Sequence, residues 1–184
     1  MGKIIIGMTM SLDGFVHDRD GSVSRLYPDL LALDQTEMMR KSIRTTGAVV
    51  MGRRAFEMGD QDSYAGNYEY QVPIFVLTHT PPERHPKEDG NLTFTFVTDG
   101  IESAVRKAKA AAGEKNVVVV GGANTVQQCL KAGLVDELQV GIMPVLFGDG
   151  LRLFENIDGD KLEWKKSLVV ETGPRTDLIF QVKK

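Results

Sequence analysis

The amino-acid sequence predicts an α/β protein: a mixed, mostly parallel sheet with helices on both faces and an antiparallel C-terminal hairpin. Buried, β-branched runs alternate with helix-like patterns over the first two-thirds of the 184 residues. The last third instead alternates apolar and polar side chains, as two-faced antiparallel strands do. Because the connections are short, we expect one continuous sheet and a single domain spanning residues 1–184.

The predicted strands are short apolar runs bounded by turn residues. The first is followed by a loop in which Asp-Gly occurs twice within nine residues, a signal of tight turns. The hairpin turns across Thr172–Arg175. In chain order the predicted strands are Lys3–Met10, Ala48–Met51, Pro73–Leu77, Thr93–Val97, Val117–Val120, Leu138–Met143, Ser167–Glu171 and Asp177–Val182.

Helices are predicted where apolar residues recur at helical spacing. They are expected over Leu30–Arg44, over Gly52–Met58, behind a capping box at Asp99–Glu102, and from Ala123 to Ala132. The polar segment Gly59–Gln71 carries three tyrosines. We interpret it as a mobile loop that either closes over a substrate or lies between subunits.

The most informative stretch is the valine strand that ends in a glycine pair, Gly121-Gly122. A helix-like pattern begins immediately afterwards, with Ala123, Asn124 and Thr125 in its first turn. Glycines let the backbone approach an anion, and the first N–H groups of a helix have no partner within the helix. The pattern favours a phosphate site, although a plain strand-to-helix turn has the same appearance.

Two other strand ends are predicted to lie at the same edge, where ligands bind in open α/β sheets. Gly52, Arg53 and Arg54 follow one strand, and the arginines could hold a phosphate by forked hydrogen bonds. Thr78 and His79 follow the next strand, in a turn rich in hydroxyl groups. The alternatives are a solvated arginine pair and a turn whose hydroxyls only cap the strand end.

The general acid is the least defined part of the predicted site. Asp34 and Glu37 lie one turn apart on the first helix and could face a pocket, or could be solvated. Asp13, in the glycine-bounded turn after the first strand, is the other candidate, and its side chain could instead cap that turn.

Composition excludes several classes of protein. A net charge of −3 argues against nucleic-acid binding. The single cysteine, Cys129, permits no internal disulfide, which fits the cytoplasm. No apolar run approaches the roughly 18 residues of a membrane span. The histidines have no accompanying cysteine or carboxylate cluster, so we predict no metal.

Taken together, these motifs resemble the dihydrofolate-reductase-like family. The most similar branch is the C-terminal reductase domain of the riboflavin-biosynthesis deaminase/reductase, with its stand-alone relatives. Ser11–Gly14 resembles the family's segment after the first strand. The other matching blocks follow in the family's order: Gly47–Glu57, Val119–Ala123, Gly133–Leu138, Pro144–Gly150 and Leu153-Phe154.

The resemblance implies a three-layer fold with NADPH lying across the carboxyl edge of the sheet. Gly52, Arg53 and Arg54 would then contact the cofactor phosphates, and Thr78 and His79 the adenosine half. Residues Gly121 to Thr125 would hold the pyrophosphate, and Ser11–Gly14, including Gly14, would pass the nicotinamide. The tryptophan motif of dihydrofolate reductases is absent from this last loop, which argues against folate as the substrate.

These observations lead to three functional hypotheses. The first is an NADPH-dependent reductase that transfers a hydride to a small heterocyclic or carbonyl molecule, pterin-like or ribosylaminopyrimidine-like. The second is a catalytically silent nucleotide- or ligand-binding protein of the same fold. The third is a structural dimer module that binds no nucleotide. We also expect a homodimer, formed through Leu138–Met143 and the turn after it.

Overall fold

The computed structural model describes residues 2–183, so the two terminal residues of the predicted 1–184 domain lie outside it. The ten strands it shows are β1 (Ile4–Ser11), β2 (Phe15–His17), β3 (Thr46–Gly52), β4 (Ile74–Leu77), β5 (Phe94–Val97), β6 (Asn116–Val119), β7 (Glu137–Met143), β8 (Leu151–Arg152), β9 (Trp164–Thr172) and β10 (Arg175–Val182). The helices in residues 2–183 are α1 (Leu30–Asp34), α2 (Glu37–Thr45), α3 (Arg53–Phe56), α4 (Tyr64–Asn67), α5 (Ile101–Ala112) and α6 (Ala123–Lys131). Three short 3-10 turns are added at Ser24–Leu26, Gln61–Ser63 and Gly159–Lys161.

Eight strands form one sheet in the order β5-β4-β3-β6-β1-β7-β10-β9. The first six of these are mutually parallel, and β10 runs antiparallel to both β7 and β9. The strands β2 and β8 pair separately. The predicted fold class is therefore confirmed: a mixed, mostly parallel sheet with an antiparallel C-terminal hairpin.

The sheet has a hydrophobic core on each face, because successive side chains of a buried strand point to opposite faces. In β3, Val50 packs into the first core with helices α5 and α6. Its neighbours Val49 and Met51 pack into the second core with Phe56 of α3. The helices therefore cover both faces and leave the ends of the strands free to form a site.

The predicted helix over Leu30–Arg44 is interrupted, which corrects the sequence interpretation. Thr36 has extended backbone angles, and its Oγ1 accepts a hydrogen bond from Met39 N at 3.1 Å. A side-chain oxygen in this position starts a new helix instead of continuing the old one. The segment is therefore two helices, α1 and α2.

The predicted capping box at Asp99 is also wrong. Gly100 is the N-cap of α5, with a φ of 97° and no side chain to accept a hydrogen bond. The Asp99 carboxylate instead accepts from Ser103 Oγ at 2.8 Å and from Lys107 Nζ at 3.3 Å. The helix begins as predicted, but Asp99 stabilises its first two turns through side chains.

The tyrosine-rich segment, predicted as a mobile loop, is anchored by its aromatic rings. Tyr64 packs against Phe56 with ring centroids 5.5 Å apart, and Tyr68 lies 4.9 Å from Tyr64. Tyr70 is buried, and its hydroxyl lies 2.8 Å from Ser42 Oγ of α2. The segment is therefore part of the second core and not a detached flap.

The strand expected at a dimer surface lies inside the sheet. β7 pairs in parallel with β1 and antiparallel with β10, so neither of its edges is free. Leu138 and Val140 are buried within the same chain. The edges of Leu138–Met143 are therefore not available to pair with a strand of a second copy, and a dimer contact through this region and the turn after it stays a prediction.

Candidate functional site

The two glycine turns picked out from the sequence are in direct contact. Gly52 ends β3 and Gly121 follows β6, the neighbouring parallel strand. The N–H of Gly52 donates to the carbonyl of Gly121 at 2.6 Å. A Cβ atom on Gly52 would lie 2.5 Å from Thr125 Oγ1 and 3.3 Å from Gly122 N. The close approach of the two turns therefore requires glycine at position 52.

The turn after β6 presents backbone amides in place of side chains. Gly121 has a φ of 132°, a conformation that favours glycine, and the Gly121-Gly122 peptide is cis. Gly122 is the N-cap of α6 and has no side chain to satisfy the first-turn amides. Ala123 and Thr125 are buried, so the helix start faces the turn with its backbone. Such an end is suited to an anion.

Two arginines extend this site on the β3 side. Arg53 and Arg54 open α3 and are exposed. Arg53 Nε donates to Glu57 Oε1 at 2.7 Å, in a pair whose side chains are 53% and 38% exposed. Within residues 2–183, Arg54 has no ion pair with a carboxylate. At least one guanidinium is therefore free to meet an anionic ligand.

The remaining predicted contacts continue along the same edge. Gly52 of β3 is in register with Leu77 of β4, so Thr78 and His79 follow directly beside the glycine turns. Thr78 is buried and its Oγ1 donates to the carbonyl of Thr80 at 2.8 Å, while His79 is exposed. Asn124 is exposed on the other side of the turns, where its Oδ1 accepts from Gln128 Nε2 at 2.6 Å. Three strand ends thus form one continuous edge.

Asp13 anchors the loop after β1. Its carboxylate accepts from Ser11 Oγ at 2.6 Å and from the backbone N–H groups of Phe147 and Gly148, at 2.7 Å in the case of Gly148. The hydrogen bond from Ser11, followed by those from the two backbone amides, lowers the pKa of Asp13 to about 2. Asp13 and Gly14 (φ 89°) therefore shape the turn, and an ionised Asp13 has no proton to donate near neutral pH.

Glu37 lies in the first turn of α2 and is exposed. Its Oε1 accepts from Arg44 Nη2 at 2.7 Å, and this contact lowers the pKa of the carboxyl. A general acid needs a pKa near the working pH. The structure does not bring Glu37 into contact with the glycine turns, and its role as an acid stays a prediction.

A buried polar cluster, missed by the sequence reasoning, occupies the other half of the carboxyl edge. Arg175 was expected in the hairpin turn, but it is the first residue of β10 and only 1% exposed. It donates to both carboxylate oxygens of Asp29 at 2.9 and 3.0 Å, to Thr9 Oγ1 at 2.6 Å and to the Leu26 carbonyl at 3.0 Å. These contacts tie the segment before α1 to the sheet.

Gly141 of β7 leaves the space that this polar cluster occupies. Thr9, Gly141 and Asp177 form one row across β1, β7 and β10. A Cβ on Gly141 would lie 2.5 Å from Arg175 Nη1 and 2.9 Å from Asp177 Oδ1. Asp177 is 5% exposed, burial raises its pKa, and its Oδ2 has no hydrogen-bond partner in the described part of the chain.

Three further features of the described chain bear on possible sites. An apolar cavity of about 440 Å³ lies at the opposite edge of the sheet, lined by residues such as Leu138, Trp164 and Phe180. Burial raises the pKa of the Cys129 thiol to about 12, so it is not a nucleophile. Among residues 2–183, no three metal-binding side chains cluster, and no helix has the length and apolarity to cross a bilayer.

The strand order, the two cores and the glycine turns at the carboxyl edge define an α/β protein with the dihydrofolate-reductase-like fold. Within that class, the RibD C-terminal domain family matches residues 2–178. The chain therefore belongs to this family, and the resemblance drawn from the sequence motifs is confirmed.

Two relatives come from Bacillus subtilis (strain 168). The uncharacterized protein YyaP is 26% identical over 160 residues, which cover 84% of this chain and 81% of YyaP. The uncharacterized protein YwjB is 24% identical over 158 residues, covering 86% of each. Neither name states an activity.

Solved structures agree on the fold. A putative riboflavin biosynthesis protein from Shewanella sp. PV-4 has a TM-score of 0.78 at 23% identity, covering 99% of both chains. A dihydrofolate reductase from Enterococcus faecalis, complexed with NADP(H), has a TM-score of 0.64 at 16% identity, covering 100% of this chain and 98% of the other. The deaminase/reductase of Thermotoga maritima has a TM-score of 0.70 at 14% identity, and the match covers only 57% of that longer chain.

Proposed function

We propose that this protein is an NADPH-dependent reductase that transfers a hydride to a small heterocyclic or carbonyl substrate. One observation carries the proposal: two glycine turns touch at the carboxyl edge of a parallel sheet, beside a helix start and two arginines. A backbone surface of this kind suits a pyrophosphate, because no side chain separates the ligand from the amides. Membership of a reductase-domain family supports the same conclusion.

The residues divide the binding of NADPH among them. The amides after Gly122 would hold the pyrophosphate, and Arg53 and Arg54 would contact the 2′-phosphate. Thr78 and His79 would lie along the adenosine half. When bound, the cofactor supplies the hydride, and the protein supplies position and electrostatics. The loop that Asp13 holds against Phe147 and Gly148 would form the wall beside the reacting ring.

The arginine pair provides the test. Replacing Arg53 and Arg54 together by alanine should weaken NADPH binding by about ten- to a hundredfold, the value of lost charge-assisted hydrogen bonds. NADH, which lacks the 2′-phosphate, should lose far less. Titration calorimetry with both cofactors measures the difference, and Arg106→Ala on α5 serves as the control. Equal losses for the two cofactors would contradict the assignment.

A catalytically silent ligand-binding protein of the same fold is the second candidate. It is favoured by the low pKa values of Asp13 and Glu37, because neither carboxyl is suited to donate a proton. Following NADPH oxidation by absorbance with a panel of pterins and pyrimidines separates the two functions. NADPH binding without turnover on any of them would favour the binding protein. The structural module predicts no thermal protection by any nucleotide.

We further propose that the protein is a cytoplasmic homodimer, with the contact moved from β7 to β9. β9 is one of the two edge strands of the sheet, and its Leu168 and Val169 are 51% and 44% exposed. An unpaired edge with exposed apolar side chains readily pairs with a second copy. Light scattering should report a dimer that Leu168→Glu dissociates. A monomeric parent protein would contradict this part of the proposal.

A further inference from the structure

The apolar cavity at the opposite edge of the sheet lies beneath a strap, which we define as residues 154–163. The strap follows β8 and leads into β9. Gln127 of α6 holds its start, because the Gln127 Nε2 donates to the carbonyl of Leu153 at 3.1 Å. At the other end, the N–H of Lys183 donates to the carbonyl of Glu163 at 2.9 Å. Both ends of the strap are therefore fixed to the body of the protein.

The strap is too polar to fill the space that it encloses. Its large apolar residues are Phe154, Ile157 and Leu162, and all three line the cavity. The rest of the apolar lining comes from the end of α6 and from β7, β9 and β10: Leu130, Leu138, Trp164 and Phe180. The volume of about 440 Å³ lies in the range of sites for small molecules. An apolar ligand that enters would remove these side chains from water, which is favourable.

The rim of the cavity carries negative charge. Glu155 is part of the lining, is exposed, and makes no ion pair with any residue in the described range 2–183. The strap as a whole contains four carboxylates and one lysine, a formal net charge of −3. A field of this sign attracts a cation to the mouth and disfavours an anion.

The cavity is separate from the glycine turns. Helix α6 begins at Ala123, directly after those turns, and ends at Lys131. Leu130, in the last turn of this helix, lines the cavity. A helix of this length spans about 13 Å. A molecule in the cavity would therefore lie at the far end of α6 from any anion held at the start of that helix.

We propose that the cavity beneath the strap binds a small, partly aromatic molecule that carries a positive charge. Three aromatic side chains in the lining, Phe154, Trp164 and Phe180, suit a ring, since aromatic rings pack favourably against one another. The unpaired carboxylate of Glu155 at the rim suits a cation. This site does not depend on the proposed reductase function, because it uses none of the residues assigned to NADPH.

The test uses the single tryptophan of the chain, Trp164, which lies in the lining and reports on the cavity directly. The probes are dansylcadaverine and 6-(dansylamino)hexanoate, which share the aromatic ring and the linker and end in an ammonium and a carboxylate. Titration of the full chain should give energy transfer from Trp164 to the dansyl ring. The cationic probe should bind about three- to tenfold more tightly, because attraction and repulsion at an exposed rim are each modest.

Two variants, each with a matched control, locate the site. Glu155→Gln should remove most of the preference for the cationic probe, while Glu102→Gln on α5, also exposed, should keep it. Phe154→Ala should weaken both probes about three- to tenfold, since it removes one aromatic side chain from the lining. Leu146→Ala, at an exposed leucine of the carboxyl edge, should weaken neither. Unfolding curves establish that each variant is folded.

The absence of energy transfer overturns the proposal, as does equal or tighter binding of the anionic probe or an unchanged preference in Glu155→Gln. Displacement of the dansyl probe by NADPH would also overturn it, because the probe would then occupy the cofactor site. Light scattering of Phe154→Ala covers the other occupant. A dimer that this variant dissociates, with no probe bound to the parent protein, would assign the cavity to a second copy of the chain.

Discussion

The two halves of the carboxyl edge differ in composition: one is mainly backbone and the other mainly side chains. At β3 and β6, the surface is backbone, with Gly52 and Gly121 joined by a hydrogen bond of 2.6 Å. At β1, β7 and β10, the surface is made of buried side chains, centred on Arg175 and Asp29. The first half offers backbone amides, which suit an anion. In the second half the donors of Arg175 are already engaged by Asp29, Thr9 and the Leu26 carbonyl. The difference shows that one sheet edge combines an open backbone surface with a closed network of side chains.

The largest expected effect is a loss of folding stability when the guanidinium of Arg175 is removed from the side-chain half of the edge. Arg175→Met leaves Asp29 as an uncompensated buried charge and the Leu26 carbonyl without its donor. Breaking a buried ion pair in this way costs about 3–5 kcal/mol of unfolding free energy. Urea unfolding followed by circular dichroism measures the loss.

The matched control removes both partners. Arg175→Met combined with Asp29→Leu should regain part of the lost stability, because Asp29 is then no longer an unpaired buried charge, while Asp177 still lacks its neighbouring guanidinium. A single variant as stable as the parent would contradict the view that this cluster holds the segment before α1 on the sheet.

Two alanine substitutions compare the halves directly. Gly141→Ala would place a methyl group 2.5 Å from Arg175 Nη1, and Gly52→Ala would place one 2.5 Å from Thr125 Oγ1. Each should destabilise the fold by about 1–3 kcal/mol through overpacking. Only Gly52→Ala should also weaken NADPH, by about tenfold or more if the turns must open by roughly 1.4 kcal/mol.

Gly59→Ala is the control for both substitutions, since a Cβ there meets no atom within 4 Å. Thermal unfolding and cofactor titration on all three variants separate stability from binding. Cofactor loss that is equal in Gly52→Ala and Gly141→Ala would show that the two halves are not independent.

Acid should weaken the side-chain half selectively. The hydrogen bond from Arg175 and its charge lower the pKa of Asp29 below the ordinary 3.8. A carboxyl whose pKa is lower in the folded than in the unfolded protein stabilises the fold fully at a pH above its unfolded-state pKa. This stabilisation is lost as the pH falls through its folded-state pKa. The stability gap between the parent protein and Asp29→Asn should therefore narrow below about pH 4. Parallel pH profiles would contradict this coupling.

The smallest effect is expected at the exposed pair in the backbone half. Glu57→Gln breaks its contact with Arg53, a partly solvated pair four residues apart on α3. Such pairs contribute about 0.3–0.5 kcal/mol, so unfolding should barely change. NADPH affinity should rise about twofold, the same energy expressed as binding, because Arg53 becomes free. A fall in affinity would show that Glu57 orients Arg53 for the cofactor.

The backbone half could be predicted because its signals are local. Four valines followed by two glycines predict a buried strand, a tight turn and a helix start within a few residues. The same holds for Gly52, which directly follows a short apolar run. Parallel strands then bring these turns to one edge. Their direct contact also requires β3 and β6 to be neighbours in the sheet, an order that the sequence does not state.

The side-chain half could not be predicted, because its members meet only in the fold. Thr9 and Arg175 are 166 residues apart, and no local pattern links them. The one available signal was the Arg-x-Asp spacing of Arg175 and Asp177, which puts both side chains on one face of a strand. The break at Thr36 was missed for a different reason, since its signal is local but one hydroxyl decides between capping and continuing a helix.

The position of β1 has a consequence for synthesis. This N-terminal strand, with its Ile4-Ile5-Ile6 run, pairs with β6 on one side and β7 on the other. A nascent chain on the ribosome therefore cannot complete the pairing of these isoleucines until Leu138 has emerged, since their partners are made late. Long-range pairing of this type slows folding and prolongs exposure to aggregation. We expect the growing polypeptide to depend on chaperones until the centre of its sheet can close.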